Sequence, residues 1–355
     1  MIEVDGSMME GGGQVLRMAV TYSALKGVPV RVRKIRAGRR PPGLRPQHLT
    51  TLEVVAEICR AETRGLRIDS TDVEFSPNTP RGGTYNLDIG TAGSIGILLQ
   101  CIAPIAAFSD SPTRLRITGG TAVRWSPPIR ILKNVVWDAF QLMGFRGRLR
   151  IQREGFYPRG GGIVEATIEP IRGLSPLNAE FPGDVELIGG HSICGGLPRH
   201  VAERQASSAE GVLEEAGYRA KISVEAAEGR NVPLSPGSVL CLWAESKPKM
   251  FMGASALGER GKPAERVGSE AAKSLLGQLA SGTVVDIHTA DNLVLWCSLA
   301  EGRSMYTTSN LTMHTRTAIE LAKIFTSAKF DVDNKPDGAA RVQCDGVGLT
   351  NPNKI

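Results

Sequence analysis

The sequence predicts an α/β protein, an α+β sandwich of three repeated units of two helices on a four-stranded sheet, with a small inserted α/β domain. Three observations carry that reading. Segments with apolar residues at helical spacing alternate with short strand-like segments along the whole chain, an order that favours helices layered on sheets over a bundle or a sandwich of strands alone. The alternation repeats with a period of roughly 80 to 90 residues, long enough for a whole supersecondary unit. Residues 185–279 interrupt it.

The first unit opens with the alternating strand IEVDG, the Gly-rich turn EGGGQ and the helix VLRMAVTYSALKG. VPVRVRKIRA reads as a second strand. A Pro/Arg loop leads to the helix PQHLTTLEVVAEICRA, and DVEFSP is a third strand. The second unit runs through strand TYNLDIG, helix SIGILLQCIAPIAAF and strand TRLRITGG. WSPPIRILKNVVWDAFQLMG follows, with Ser126 expected as the helix cap and Pro127 as first helical residue. Strands RLRIQREG and GIVEATIEP close it. The strings TPRGGTY (79–85) and YPRGGGIV (157–164) echo each other before strands, as a repeat or as a common Arg-Gly turn. The third unit holds helix AERVGSEAAKSLLGQLA, strand TVVDIH, helix ADNLVLWCSLAEG, strand SMYTTS, a helix beginning near His314, and strands KFDVDN and AARVQCDG. The interruption has its own strand DVELIGGHSI, helix VAERQASSAEGVLEEAGY, and strands KISVEAA and SVLCLWAES. The chain therefore divides into a large domain, 1–184 and 280–340, an inserted domain, 185–279, and a C-terminal strand end and tail, 341–355. Its last stretch, VGLTNPNKI, reads as loose.

Composition narrows the class. The 355 residues are 41% hydrophobic and 22% charged, normal for a protein that buries a core. The start MIEVDGSMMEGGGQ carries acids where a signal peptide carries bases, and the longest apolar run is broken by Gln100 and Pro104. A soluble, cytoplasmic protein with no membrane partner is expected. The six cysteines are scattered without a CxxC, so nothing demands disulfides; His191 and Cys194 form a lone HxxC, half of a zinc site or merely two strand residues. Net charge is +6, and 30 of the 42 basic residues are Arg. The planar guanidinium suits phosphate oxygens, so phosphate or nucleic-acid partners compete with a compositional bias as the cause.

Four places could carry chemistry. DGSMMEGGGQVLR is a strand, a turn and a helix opening, an arrangement whose N–H groups cradle anions, although it matches neither GxxxxGK[ST] nor GxGxxG. Glu10 there is either a helix cap or, beside a phosphate, the holder of a divalent cation. KIRAGRRPPGLRPQHL sets Lys34, Arg36, Arg39, Arg40, Arg45 and His48 in a stiffened loop suited to phosphodiesters, or simply solvated. His314 sits where a helix begins; the dipole disfavours its cation, and a neutral ring nitrogen at an anion-attracting helix end is placed to attack phosphorus. A hydrogen-bonded structural histidine is the plainer alternative. DIHTADNLVLW places Asp286 and His288 on a strand and Asp291 at the next helix start, as its cap, as a ribose ligand or as a group that orients His314.

The strings EGGGQVLR, RAGRRPPGLRPQHL, GTAGS, GFYPRGGG, LPRHVAERQ, GERGKPAERVG, ADNL and HTRTAIE stand in an order that resembles RNA 3'-terminal phosphate cyclases, from about residue 3 to 345. That resemblance implies ATP-dependent conversion of an RNA 3'-phosphate to a 2',3'-cyclic end through a histidinyl-AMP and an RNA(3')pp(5')A intermediate. It implies ATP, a divalent metal (Mg2+ or Mn2+) and RNA 3'-phosphate ends as cofactors and partners. His314 matches the nucleophile and Glu10 the metal ligand. Arg17, Arg39 and Gln47 match positions near the phosphates, with Arg40 and Arg45 on the same RNA-facing loop. Gln100 and Asp291 match positions lining the nucleotide site; Pro128 and His288 match the two faces of the adenine, His288 where a tyrosine is usual. Ala122, Arg124 and Ala318 also depart from the family pattern. The family resembles, besides, a non-catalytic ribosome-assembly protein that lacks the histidine, and enolpyruvyl transferases share the idea of repeated units. Oligomeric state, physiological RNA and the insert's task stay open.

Overall fold

The computed structural model describes residues 1–336 and 338–354. Its first sheet is built from β1 (Ile2–Asp5), β2 (Val30–Arg33), β3 (Glu62–Arg64) and β4 (Asp72–Ser76), in the order β1-β2-β4-β3. Helix α1 (Gly13–Lys26) connects the parallel pair β1 and β2, and α2 (Pro46–Cys59) leads from β2 to β3. The short edge strand β3, ETR, carries too little apolar pattern to be read from sequence.

The second sheet repeats that order with β5 (Gly83–Asp88), β6 (Thr113–Gly119), β7 (Arg146–Arg153) and β8 (Gly162–Glu169), arranged β5-β6-β8-β7 with β5 and β6 parallel. Helix α3 (Ile95–Ala107) is capped by Ser94, whose hydroxyl accepts from the Ile97 N–H at 3.2 Å. The next helix, α4 (Ile129–Ile131) and α5 (Trp137–Leu142), is continuous through a π-helical stretch, Leu132–Val136. It starts two residues later than the sequence suggests. Pro128 occupies the cap position, and the Ser126 hydroxyl is spent on Ser94 at 2.6 Å.

After β9 (Asn178–Ala179) the chain builds a separate sheet from β10 (Asp184–Gly195), β11 (Ala220–Ala227), β12 (Gly237–Lys247) and β13 (Gly253–Leu257), ordered β11-β10-β12-β13. Helices α6 (His200–Glu215) and α7 (Ala264–Leu279) pack against each other and cover this sheet. Helix α7, assigned from the sequence pattern to the third unit although it falls within 185–279, therefore serves this sheet and not the final one. His191 on β10 bonds Ser223 at 2.5 Å and pairs with Glu225, while Cys194 is buried, so the HxxC is spent on packing.

The last sheet takes up β9 again, with β14 (Glu301–Thr308), β15 (Lys329–Asn334) and β16 (Ala340–Val347), ordered β15-β16-β14-β9 with β9 and β14 parallel. Its helices are α8 (Ile287–Leu299) and α9 (Met313–Phe325). TVVDIH is not a strand: Val285 makes only isolated bridges to Phe251 and Thr308, and Asp286 caps α8. The Val-Val-Asp-Ile alternation imitates a strand, but the Asp286 carboxylate takes the first free N–H groups of the helix, at His288 and Thr289, both 2.8 Å.

Helix α1 is the hub of the helical layer, packed on α2, α3 and α9. Its Tyr22 hydroxyl lies 2.9 Å from Ser298 on α8, and its ring stacks on Phe325 of α9 at 5.4 Å between centroids. All six cysteines are free and buried. Among the described residues no helix is long and apolar enough to cross a membrane.

The expected loose tail is tethered instead. The Gly348 and Leu349 N–H groups donate to Ala300 and Leu299, and buried Asn351 donates its side-chain amide to the Ser109 carbonyl at 2.8 Å. A turn-rich string reads as loose because its partners lie far away in sequence. Asn351→Ala leaves the Ser109 carbonyl buried without a donor and should lower the unfolding free energy by about 1–3 kcal/mol in urea titration; an unchanged midpoint would show that the tether carries no stability.

Candidate active site

Sequence alone dictates why the α1 end is bare. Helix α1 begins with Gly12 at its cap position and no side chain capping it, so its first N–H groups face outward. Glu10 is not the cap. The glycines answer to crowding: a Cβ on Gly12 would overlap the Glu10 carboxylate, and one on Gly13 would overlap the His48 ring and press on the Arg17 guanidinium.

Around this end opens a cavity of about 1040 Å3. Residues at helical spacing on one face of α1 (Gly13, Gln14, Arg17, Met18, Thr21) form its floor, together with Gln47 and His48 of α2 and Gln100 of α3. Helix α8 contributes His288, Asp291 and Asn292, and the start of α9 contributes His314. Ile97, Ile131, Leu295 and Trp296 make an apolar wall, and Gly253, Ser255, Ser274 and Gln278 reach in from β13 and α7.

Of the residues to which the resemblance gave a site role, Glu10, Arg17, Arg39, Gln47, Gln100, His288, Asp291 and His314 therefore come together in one cavity, joined there by Arg36 and His48. Three with such a role do not. Pro128 is buried under the helix it starts, and its neighbour Pro127 faces the cavity in its stead. Arg45 stands at the cap of α2 with its guanidinium on Asp69. Arg40 is exposed and outside the lining. A Pro/Gly loop can turn any of its arginines outward, so a charge run does not say which ones face the ligand.

The charges inside are unbalanced. Burial pushes the Arg17 guanidinium down to about 10, and no carboxylate among the described residues lies within ion-pair distance of it. Arg36 is held by the Pro41 and Gly43 carbonyls at 3.1 and 2.9 Å; burial and then Arg45 and Arg39 lower its pKa. Arg39 pairs with one Glu10 oxygen, while Glu10 Oε2 is buried without a partner. Among the described residues no three His, Cys, Asp or Glu side chains gather closely enough to hold a metal by themselves. A lone orphaned carboxylate oxygen fits a cation that takes its other ligands from phosphates and water, as Mg2+ does.

Asp291 is not a helix cap but lies in the second turn of α8. Its Oδ1 accepts from the Thr312 hydroxyl at 2.7 Å and from the Thr315 hydroxyl, and burial raises its pKa. Thr312 in turn caps α9, accepting from the Thr315 N–H at 3.0 Å. Gln47 accepts from the Ser94 N–H at 3.0 Å, which leaves its NH2 free to donate.

His314 lies in the first turn of α9 and is exposed. Gln14 holds it twice: its Nε2 donates to the His314 carbonyl at 3.1 Å, and its Oε1 stands 2.8 Å from His314 Nδ1. Because the amide nitrogen is already committed to a carbonyl, Oε1 is an acceptor and Nδ1 the donor. The other ring nitrogen, Nε2, then carries the lone pair of the neutral ring. Gln14 escaped the sequence reading, although its position three residues before Arg17 and four before Met18 puts it on the same helical face as these.

The family model described as RNA 3'-terminal phosphate cyclase matches residues 8–332. The chain is similar to the RNA 3'-terminal phosphate cyclase of Methanopyrus kandleri, 44% identical over 345 residues covering 97% of this chain and 98% of that one. It is also similar to the protein of that name from Archaeoglobus fulgidus, 47% identical over 319 residues, 88% of this chain and 92% of the other. Among solved structures, the enolpyruvyl transferase NikO from Streptomyces tendae covers 98% of this chain and 48% of its own at 11% identity, with a TM-score of 0.39.

His48 yields a prediction for this site. Burial first, then the charges of Arg17 and Arg36, push its imidazole from 6.5 down to about 3. A base whose folded pKa lies below its unfolded one contributes stability that is whole above the unfolded value and is lost as the pH falls toward the folded one. Unfolding free energy should therefore drop by about 2 kcal/mol from this residue between pH 7 and pH 5. His48→Gln should flatten that slope in urea titrations; an equal slope in the variant would assign it to other groups.

Proposed function

Because the chain belongs to the RNA 3'-terminal phosphate cyclase family, we propose that it converts an RNA 3'-phosphate to a 2',3'-cyclic phosphodiester with ATP, through a histidinyl-AMP on His314. The observation that carries the reading is the Gln14–His314 pair, which leaves Nε2 of the ring as an exposed nucleophile beside an excess of cations.

The first step forms a bond from His314 Nε2 to the α-phosphorus of ATP and breaks the bond to pyrophosphate, which leaves with the electron pair. In the second, an oxygen of the RNA 3'-phosphate attacks the same phosphorus and the imidazole departs, giving RNA(3')pp(5')A. In the third, the 2'-hydroxyl attacks the 3'-phosphorus and expels AMP, its proton lost as the new P–O bond forms. A phosphomonoester is a poor electrophile until it carries such a leaving group, and a DNA end lacks the hydroxyl that closes the ring.

Arg17, without a carboxylate of its own, and the free amide of Gln47 are the groups to take phosphate oxygens. The oxygen of Asp291 not used by the threonines is available to a ribose hydroxyl. Ile97, Ile131, Leu295 and Trp296 offer an apolar wall to the adenine, with Gln100 and His288 beside it. Glu10 is the residue to hold a divalent cation. When bound, such an ion neutralises charge on the phosphates as it shifts to the leaving group.

Incubation with α-labelled ATP and Mg2+ or Mn2+ should give a protein-bound label that survives alkali and is lost in acid, as a phosphoramidate is. His314→Ala should abolish it, and label persisting in that variant would move the nucleophile elsewhere. No label on folded wild-type protein with either metal would overturn the reading. Gln14→Ala should slow labelling about 10- to 100-fold, since the ring loses the partner that fixes its tautomer; an unchanged rate would mean that the pair does not orient the nucleophile.

A further inference from the structure

Trp125 combines two unfavourable features that packing does not explain. Its side chain is 95% exposed. Its backbone sits at φ +67°, a left-handed conformation that bulky residues rarely adopt. Strain of this kind persists only where the surroundings over-determine it, and that is the case here. On one side Arg124 donates to Glu259, in the loop before α7, at 2.8 Å. On the other, Ser126 is bonded to Ser94, and Ser94 to Gln47. The neighbours are anchored and the indole is held out at the rim of the cavity, on the same lining as Arg36 and Arg39.

We propose that Trp125 is a stacking platform for a base near the 3' end of single-stranded RNA, with the guanidinium groups of Arg36 and Arg39 taking the adjoining backbone phosphates. An open aromatic face beside arginines is the arrangement that binds single strands without regard to sequence, since every base has a π-face. The inference rests on the cyclase reading and adds to it the place where the polymer leaves the cavity. The adenine of ATP is the competing occupant, and exposure argues against it. A mononucleotide base is satisfied by the buried wall of Ile131, Leu295 and Trp296. An indole at the rim meets only a ligand that continues outward, as a strand does and ATP does not.

The test is a pair of titrations on the full-length protein at fixed salt, one with a 5'-fluorescein single-stranded RNA ending in a 3'-phosphate and one with ATP. Trp125→Ala should weaken RNA binding by roughly five- to one-hundred-fold, the scale of one lost base stack. The loss should fall on RNA and not on ATP, and Trp125→Phe should recover most of it. Equal RNA affinity in wild type and Trp125→Ala would overturn the inference alone, leaving the cyclase reading intact. A loss that falls on ATP would assign the indole to the adenine and overturn it too. Wild-type protein that binds ATP but no RNA would overturn the cyclase reading, and this inference with it.

Discussion

The packing of α1 against α9 is the contact on which the candidate site depends. It joins elements some 300 residues apart and is held by the Tyr22–Phe325 stack, while the Tyr22 hydroxyl ties the same helix to Ser298 of α8. On that seam Gln14 meets His314, and the bare end of α1 comes to face the start of α9. Two helix N-termini then point into one cavity, and both favour negative charge there. Asp291 supports the arrangement from below: by accepting from Thr312 and Thr315 it fixes the first turn of α9, and with it the histidine, to α8.

The cavity's charges would be a poor way to stabilise a fold. Arg17, Arg36 and Arg39 share the cavity with two carboxylates, Glu10, whose second oxygen has no partner, and Asp291, whose Oδ1 is taken by threonines. His48 stays neutral beside them because a further cation at that depth is too costly. Such an excess is repulsive until an anion enters, and the surrounding apolar core offsets it. Polyphosphate and an RNA 3'-phosphate, the ligands of the proposed reaction, are anions of the required kind.

The inserted sheet is more than an appendage. Asp286, fully buried with its pKa raised by burial, caps α8 and also accepts from the Gly253 N–H at 3.1 Å, so it ties β13 to the helix that carries His288 and Asp291. Arg130, at the start of the second sheet's helix, reaches Glu154 on its own side at 2.9 Å and forks onto Glu225 of β11 at 2.9 and 2.7 Å. With these ties in place, Ser274 and Gln278 form part of the cavity wall.

Local chemistry determined what the sequence could reveal by itself. The α/β class, the Gly-rich turn, the basic loop and the candidate nucleophile are all legible, because periodicity and turn chemistry act within a few residues. The string order that resembles the cyclases led to the family that the comparisons bear out. Tertiary structure decided the rest, for reasons of distance. Asp286 outcompeted a strand-like pattern because its carboxylate met helix N–H groups and Gly253 together. Helix α7 went to the inserted sheet because α6 was there to pack against. Arg17 and Arg39 face the cavity and Arg45 does not, because Asp69 claims the latter. Gln14 gained its role only when α9 arrived, since a hydrogen bond between residues 300 apart leaves no mark on local sequence.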